Sequence, residues 1–139
     1  MSYTVKSKEL LKRMGYYGEV CESFNSFTKR RKDVLSFGDI IALSLNPPAS
    51  ILLCQSTSLS NLSARWHKVS DKEIDGQPNP VRLKLLMWLE NSGEFWIVVH
   101  ENDKPVGKRK LNTRGKIRKV FLDEKGEPIY NDIDTSTIW

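Results

Sequence analysis

The chain has 139 residues, enough for one domain with a substantial core. Its 39% apolar and 28% charged residues are those of an ordinary folded protein and exclude a disordered or low-complexity chain. The formal net charge of +5 points toward polyanionic partners, and no stretch approaches the roughly 18 apolar residues of a membrane span, so no membrane partner is expected.

Residues 4–14 read as a helix. Leu10, Leu11 and Met14 form an apolar stripe, Lys6, Lys8, Lys12 and Arg13 fall on other faces, and Gly15 is a fitting stop. This N-terminal stretch lacks the apolar segment of a signal peptide. Tyr16 to Phe24 reads as a strand, with Gly18 its weak point and Glu22 near its far end. Residues 25–38 are polar and basic and suit a loop or hairpin tip; they carry Lys29, Arg30, Arg31 and Lys32 in a row.

Two short runs rich in Ile and Leu follow, Ile40 to Leu45 and Ile51 to Cys54, separated by Asn46-Pro47-Pro48-Ala49-Ser50. Asn-Pro and Pro-Pro pairs mark turns, and short aliphatic runs suit buried strands, so the segment predicts an antiparallel hairpin. Asp39 and Gln55 are equidistant from Pro47 in the turn and should sit side by side across the ladder. Thr57 lies two residues beyond Gln55 and shares its face. Polar groups at the end of so apolar a hairpin need partners, because burying them unpaired costs several kcal/mol on most scales, about 2–7. Cys21 and Cys54 both fall in apolar strand-like segments. A disulfide is open to them if those strands pair; two buried thiols and a cytosolic compartment are the expectation.

From Ser58 to Val69 the period changes to helical. Leu62, Trp66 and Val69 recur on one face, Arg65 and Lys68 share the neighbouring one, and Ser60 or Asn61 is placed to cap the start. Residues 71–80 read as a loop, and Pro80 or Val81 opens a second helix that ends at Asn91-Ser92-Gly93. Phe95 to His100 reads as an apolar strand. Lys116 to Leu122 alternates as a strand in part, and Glu124-Lys125-Gly126 is a turn. From Lys104 to Val120 there are eight basic residues and no acid, among them Lys108, Arg109, Lys110 and Arg114. This run reads as appended after the core, and the acidic tail follows it. A like-charge run is either a solvated face or a nucleic-acid footprint, and two such clusters in one domain favour the second. The order is helix, three strands, helix, helix, strand, which predicts a single mixed α/β (α+β) domain built on a central mixed sheet.

If the first three strands are neighbours, Glu22, Asp39, Gln55 and Thr57 converge. A carboxylate pair beside a further oxygen is what a hard divalent cation needs. Four pieces of sequence extend this. Glu22-Ser23-Phe24-Asn25 places an acid before an aromatic and Asn at a strand end. Lys32 to Ala42, KDVLSFGDIIA, is similar to a "KDLFGFxDILA" segment. Gln55-Ser56-Thr57-Ser58 has the form "QxTS". Asn61, Arg65 and Lys68 follow at Asn-x-x-x-Arg-x-x-Lys spacing. In this order they resemble the PD-(D/E)XK nuclease superfamily, with its restriction-endonuclease-like core, and more narrowly small Holliday-junction-resolvase-like proteins of phage and prokaryotic genomes. The resemblance covers about residues 5–100 and leaves the basic strand and acidic tail of 101–139 outside it.

The resemblance implies a DNA endonuclease dependent on Mg²⁺ or Mn²⁺, acting on branched DNA, cytoplasmic in a bacterial or phage-infected cell. It implies Asp39 as central metal ligand, Glu22 as a second acid and Gln55 as a further ligand, with Thr57 and Arg65 orienting water or phosphate. Gln55 stands where the superfamily usually has an acid, and Thr57 where it usually has a lysine. Gln binds a cation more weakly than a carboxylate, and Thr supplies no positive charge, which Arg65 or Lys68 would have to replace. Lys29 to Lys32, Asn61, Arg65, Lys68, Lys108 to Lys110 and Arg114 would contact DNA. Cutting two strands of a junction needs two sites, so a homodimer is expected.

Plainer readings stand beside these. Gln55 is equally readable as a sheet-edge residue satisfied by backbone, Asp39 as a turn cap, and Arg65 and Lys68 as a solvated helix face. Asp33 reads as a loop residue capping its own backbone. His67 and His100 lack metal-ligand partners at useful spacing, and His100 reads as a hydrogen-bonded edge residue. Trp66, Trp88, Trp96 and Trp139 read as core. On these readings the chain is a non-catalytic DNA-binding protein of the same fold, or an accessory protein of a phage or mobile element that binds a host protein through the tail ending at Ile138-Trp139.

Overall fold

The computed structural model describes residues 3–20, 23–25, 30–32, 37–44, 50–102 and 113–133. The first helix, α1, spans Tyr3–Arg13. Its buried stripe is Ser7, Leu10 and Leu11, and Lys12 and Arg13 in the last turn complement the negative end of its dipole. Gly15, at φ 91°, turns the chain out of the helix in a conformation that glycine adopts without strain.

Strand β1, Tyr16–Val20, pairs antiparallel with β4, Ile40–Ser44, from Tyr16↔Ser44 to Val20↔Ile40. Strand β4 in turn pairs with β5, Ile51–Ser58, in the register Ile40↔Cys54 through Leu43↔Ile51. This is the hairpin and the register predicted from Pro47. Cys54 is a buried thiol, while Cys21 lies outside the described residues.

Of the strand expected over residues 16–24, Tyr16–Val20 belongs to the sheet as β1, and Cys21 and Glu22 lie outside the described residues. Ser23–Asn25 (β2) pairs instead with Arg30–Lys32 (β3), in a separate two-stranded ribbon.

After β5 a 3-10 turn at Leu59–Asn61 leads into α2, Leu62–Ser70. Residues 71–80, expected as plain loop, contain a minimal hairpin of β6, Glu73–Ile74, and β7, Gln77–Pro78. Its turn residues Asp75 and Gly76 both have positive φ, 52° and 76°, and the Asp-Gly pair is the sequence signal for such a turn. Helix α3, Pro80–Glu90, starts at Pro80 and ends before Asn91, as expected.

Strand β8, Glu94–Asn102, runs parallel to β5, with Gln55↔Ile97 and Thr57↔Val99. Strand β9, Thr113–Leu122, pairs antiparallel with β8, and β10, Pro128–Ile133, with β9. The sheet order is β1-β4-β5-β8-β9-β10. The fold is therefore a mixed α/β one, with three helices on a six-stranded mixed sheet.

The basic strand is not an appendage. It is the fifth strand of the sheet, because Ile117 and Val120 are both fully buried, on opposite faces, and anchor it there. The tail contributes the sixth strand through the turn at Asp123, whose carboxylate accepts the amides of Lys125 and Glu127 at 2.9 Å.

Two cores result. One, against α1, holds Leu10, Leu11, Ile40, Ala42, Leu52, Cys54, Trp96, Val98 and Ile117. The other, against α2 and α3, holds Phe37, Leu53, Leu62, Val69, Leu85, Phe95, Ile97, Val99 and Val120. Alternation along β5 and β8 deals residues to the two layers in turn. Each fully buried Leu, Ile or Phe contributes about 1.5–3 kcal/mol relative to exposure. Trp96 is buried, and Trp66 and Trp88 pack half-buried against the second core. Trp139 lies outside the described residues. Among the described residues no helix is long and apolar enough to cross a membrane.

Candidate functional site

Asp39, Gln55 and Thr57 are all buried, with 5%, 6% and 4% of their surface exposed. Asp39 lies one residue before strand β4, within reach of the Ser56 N–H on β5. The Asp39 carboxylate accepts that N–H at 3.2 Å on Oδ1 and 3.1 Å on Oδ2. The Asp39 backbone N–H donates to the Cys54 carbonyl at 2.9 Å, which holds the residue against the strand end. The Gln55 amide Nε2–H then donates to Asp39 Oδ2 at 3.2 Å and to its neighbour's carbonyl, Ser56 O, at 3.4 Å. Thr57 Oγ1 donates to Ser58 O at 3.2 Å.

The pairing of Asp39 with Gln55 is thus as the hairpin predicted. The role of the Ser56 amide was not legible, since it depends on where β4 begins. Each oxygen of Asp39 accepts at least one N–H, as a buried carboxylate requires.

The other expected site residues divide into three groups. Arg65 and Lys68 lie half-buried on α2, between the buried Leu62 and Val69. Among the described residues neither forms a side-chain hydrogen bond or ion pair with Asp39, Gln55 or Thr57. Asn61 is exposed at the N-cap position of α2, but its side chain makes no cap bond. The 3-10 turn feeds directly into the helix and leaves Asn61 at φ −99°, ψ −2°, helical backbone instead of the extended form a cap needs.

Arg30, Arg31 and Lys32 form β3, and Arg114 lies in β9. Glu22, Lys29, Asp33, Lys108, Arg109 and Lys110 lie outside the described residues. Among the described residues no three His, Cys, Asp or Glu side chains gather into a metal-binding group. Asp39, Gln55 and Thr57 themselves offer one carboxylate, one amide oxygen and one hydroxyl. These are oxygen groups of the kind a hard divalent cation takes, and the Gln55 amide as it stands turns its nitrogen toward Asp39.

His100 departs from the edge-residue expectation. It sits on β8 inside the sheet, 2% exposed, with Nε2 2.8 Å from the Ser7 hydroxyl of α1. Burial first, and then the charge of Lys6, pull its pKa down to about 4, against an opposing backbone hydrogen-bonding contribution from Tyr3.

On the α2 face of the sheet Arg118 lies over the Tyr130 ring, 4.6 Å from its centroid, and pairs with Asp132 at 3.3 Å. Trp66 meets the same Tyr130 edge to face. Part of the basic strand's charge is thereby spent within the fold. No family model, curated protein or solved structure matches this chain.

Proposed function

We propose that the protein is a divalent-metal-dependent DNA endonuclease of the PD-(D/E)XK type, acting on branched DNA in the manner of Holliday-junction resolvases. The reading is carried by one observation: a buried carboxylate and a buried amide, Asp39 and Gln55, stand side by side at 3.2 Å at the open end of an apolar hairpin. The order of elements and the sequence segments around these residues support it. Mg²⁺ or Mn²⁺ bound there would polarise a phosphodiester and activate an attacking water. Asp39 would be the anionic ligand, and Gln55 would contribute its carbonyl after the amide rotates. Arg65 and Lys68 border the same sheet face on α2, where their charge suits a DNA backbone and binding would weaken with salt. A homodimer would present two such sites to a junction.

A second reading is favoured by a specific observation. The Asp39 carboxylate is satisfied by Ser56 N–H and Gln55 Nε2–H with no cation at all. On that reading the same fold binds DNA without cutting it.

Incubating the protein with labelled four-way junction and duplex DNA, in Mg²⁺, Mn²⁺ or EDTA, separates the two. Cleavage that needs metal and falls by more than about 100-fold in Asp39→Ala, beyond the 10–100-fold typical of outer-shell changes, supports the nuclease. Binding without cleavage under either metal selects the second reading, and neither binding nor cleavage rejects both.

A further inference from the structure

Behind the candidate site, on the other face of the sheet, three polar side chains are buried among aliphatic neighbours. Ser7 is fully buried on α1, Ser56 is 9% exposed on β5 and His100 is 2% exposed on β8. Ser56 Oγ–H donates to Ser7 Oγ at 2.7 Å, and Ser7 Oγ lies 2.8 Å from His100 Nε2. Ser56 also donates its backbone N–H to Asp39. A continuous hydrogen-bonded chain therefore runs His100–Ser7–Ser56–Asp39, from a helix on one face, through the sheet, to a carboxylate at its open end.

The chain has one polarity. With Ser56 donating to Ser7, the Ser7 proton is left to point at Nε2, and a neutral imidazole then carries its own proton on Nδ1. That Nδ1 is buried with no partner at good hydrogen-bonding geometry, although the Tyr3 backbone lies near enough to favour the ring's charge. A second proton on Nε2 would set donor against donor at the Ser7 hydroxyl. The Ser7 proton must then turn away into buried surroundings where its hydroxyl has no further hydrogen-bond partner among the described residues, or α1 must lift.

The groups facing the ring are few. From α1 come the Tyr3 ring, stacked at 5.1 Å, and the cationic Lys6. From β5 come Ser56 and Ser58, the latter opposite His100, and from β9 Gly115 in register. No carboxylate among the described residues bonds the imidazole, and the Tyr3 backbone, which favours a positive ring, is outweighed by burial and Lys6.

We propose that Ser7, Ser56 and His100 form a pH-sensitive latch that clamps α1 to the sheet while the imidazole is neutral and releases it when the imidazole is protonated. The latch holds whether or not Asp39 binds metal, so it stands independently of the nuclease reading. Burial and Lys6, which pull the imidazole pKa down to about 4, set the release well below neutrality.

The chain has two histidines, so His67→Gln, a change at an exposed helix residue, leaves His100 as the sole imidazole. The test follows its NMR signal and the hydrogen-exchange protection of α1, β8 and β9 amides between neutral pH and pH 3.5. The expected result is an imidazole that titrates near pH 4. Over the same interval α1 protection falls about tenfold or more, ahead of β8 and β9. At neutral pH, Ser7→Ala lowers α1 protection roughly fivefold, the size of one hydrogen bond. Titration in the ordinary histidine range overturns the latch. So does α1 protection that stays flat through the titration, or that falls only together with β8 and β9. The His67→Gln protein carries the test alone if Ser7→Ala does not fold.

Discussion

At Asp39 a side chain does what a backbone carbonyl does elsewhere in the sheet: it accepts a strand N–H, here from Ser56. The arrangement makes Gln55 the informative position. Replacing it by Glu puts a second carboxylate where an amide now donates at 3.2 Å, so the apo protein acquires two like charges in a buried place. Gln55→Glu is expected to lower stability by about 2 kcal/mol in EDTA, within the range of ordinary single substitutions, and to recover it on addition of Mg²⁺. Thermal unfolding with and without metal reads both arms. A loss that Mg²⁺ does not repair argues against metal at this site. The juxtaposition of Asp39 and Gln55 was legible because a hairpin's register follows from its turn. The partners of Asp39 were not, because acceptance of the Ser56 backbone N–H depends on the local path of the two strands and not on any residue type. Ser7 was passed over for a similar reason. It lies one turn before Leu10 and Leu11, within the buried stripe, and only the position of His100 gives its hydroxyl a partner.

Between elements, Asn79 fastens the second helical layer. It is 1% exposed and uses every polar group it has. Its side-chain amide donates to the carbonyls of Lys68 and Asp71 at 2.9 Å each, its Oδ1 accepts the Val81 N–H at 3.1 Å, and its own N–H donates to Lys72 O. It caps α3 and closes the last turn of α2 at once. Asn79→Ala should therefore cost more than an ordinary cap, about 2–3 kcal/mol, because two carbonyls lose partners along with the helix start. Chemical denaturation measures it, and a loss under about 0.5 kcal/mol would show the carbonyls finding water. Helix α3 itself was plain in the sequence from Pro80 to Gly93, since such start and stop signals are local, although the Asn79 cap was not read. Strand β10 was not, because Ile129 and Tyr130 remain partly exposed and only pairing with β9 orders them.

Over the whole molecule, acid acts on two groups in the same direction. His100 has a folded pKa of about 4 against an ordinary value of 6.5, so the native state disfavours its proton. Its contribution is complete above pH 6.5 and erodes as pH falls toward 4. Glu127 is held below its ordinary value by its hydrogen bond from Arg82 at 2.7 Å, with Lys72 adding to the effect. Its contribution is complete above the ordinary carboxylate pKa and is lost as pH drops through its lowered one. Melting temperature is therefore expected to decline from pH 7 to pH 5 through His100, and further below pH 4.5 through Glu127. Glu127→Gln should remove only the lower part, and His100→Gln the upper part. A profile flat between pH 7 and 5 would contradict the histidine assignment.

The lone parallel contact of the described sheet, β5 against β8, joins two stretches that are each contiguous in sequence and antiparallel within themselves, β1-β4-β5 and β8-β9-β10. Between them the chain passes through an exposed two-residue turn, Asp75-Gly76. Cut there, the protein becomes two fragments, one ending in β6 just after α2 and the other starting with β7 just before α3. Each keeps its own pairs within the six-stranded sheet but exposes a strand that the other would cover. Such fragments are poised for reassembly, with the β5–β8 seam as their adhesive and the Asn79 bonds as their lock. Co-expressed halves should recover the far-ultraviolet spectrum of the intact chain, and either half alone should aggregate through its open strand.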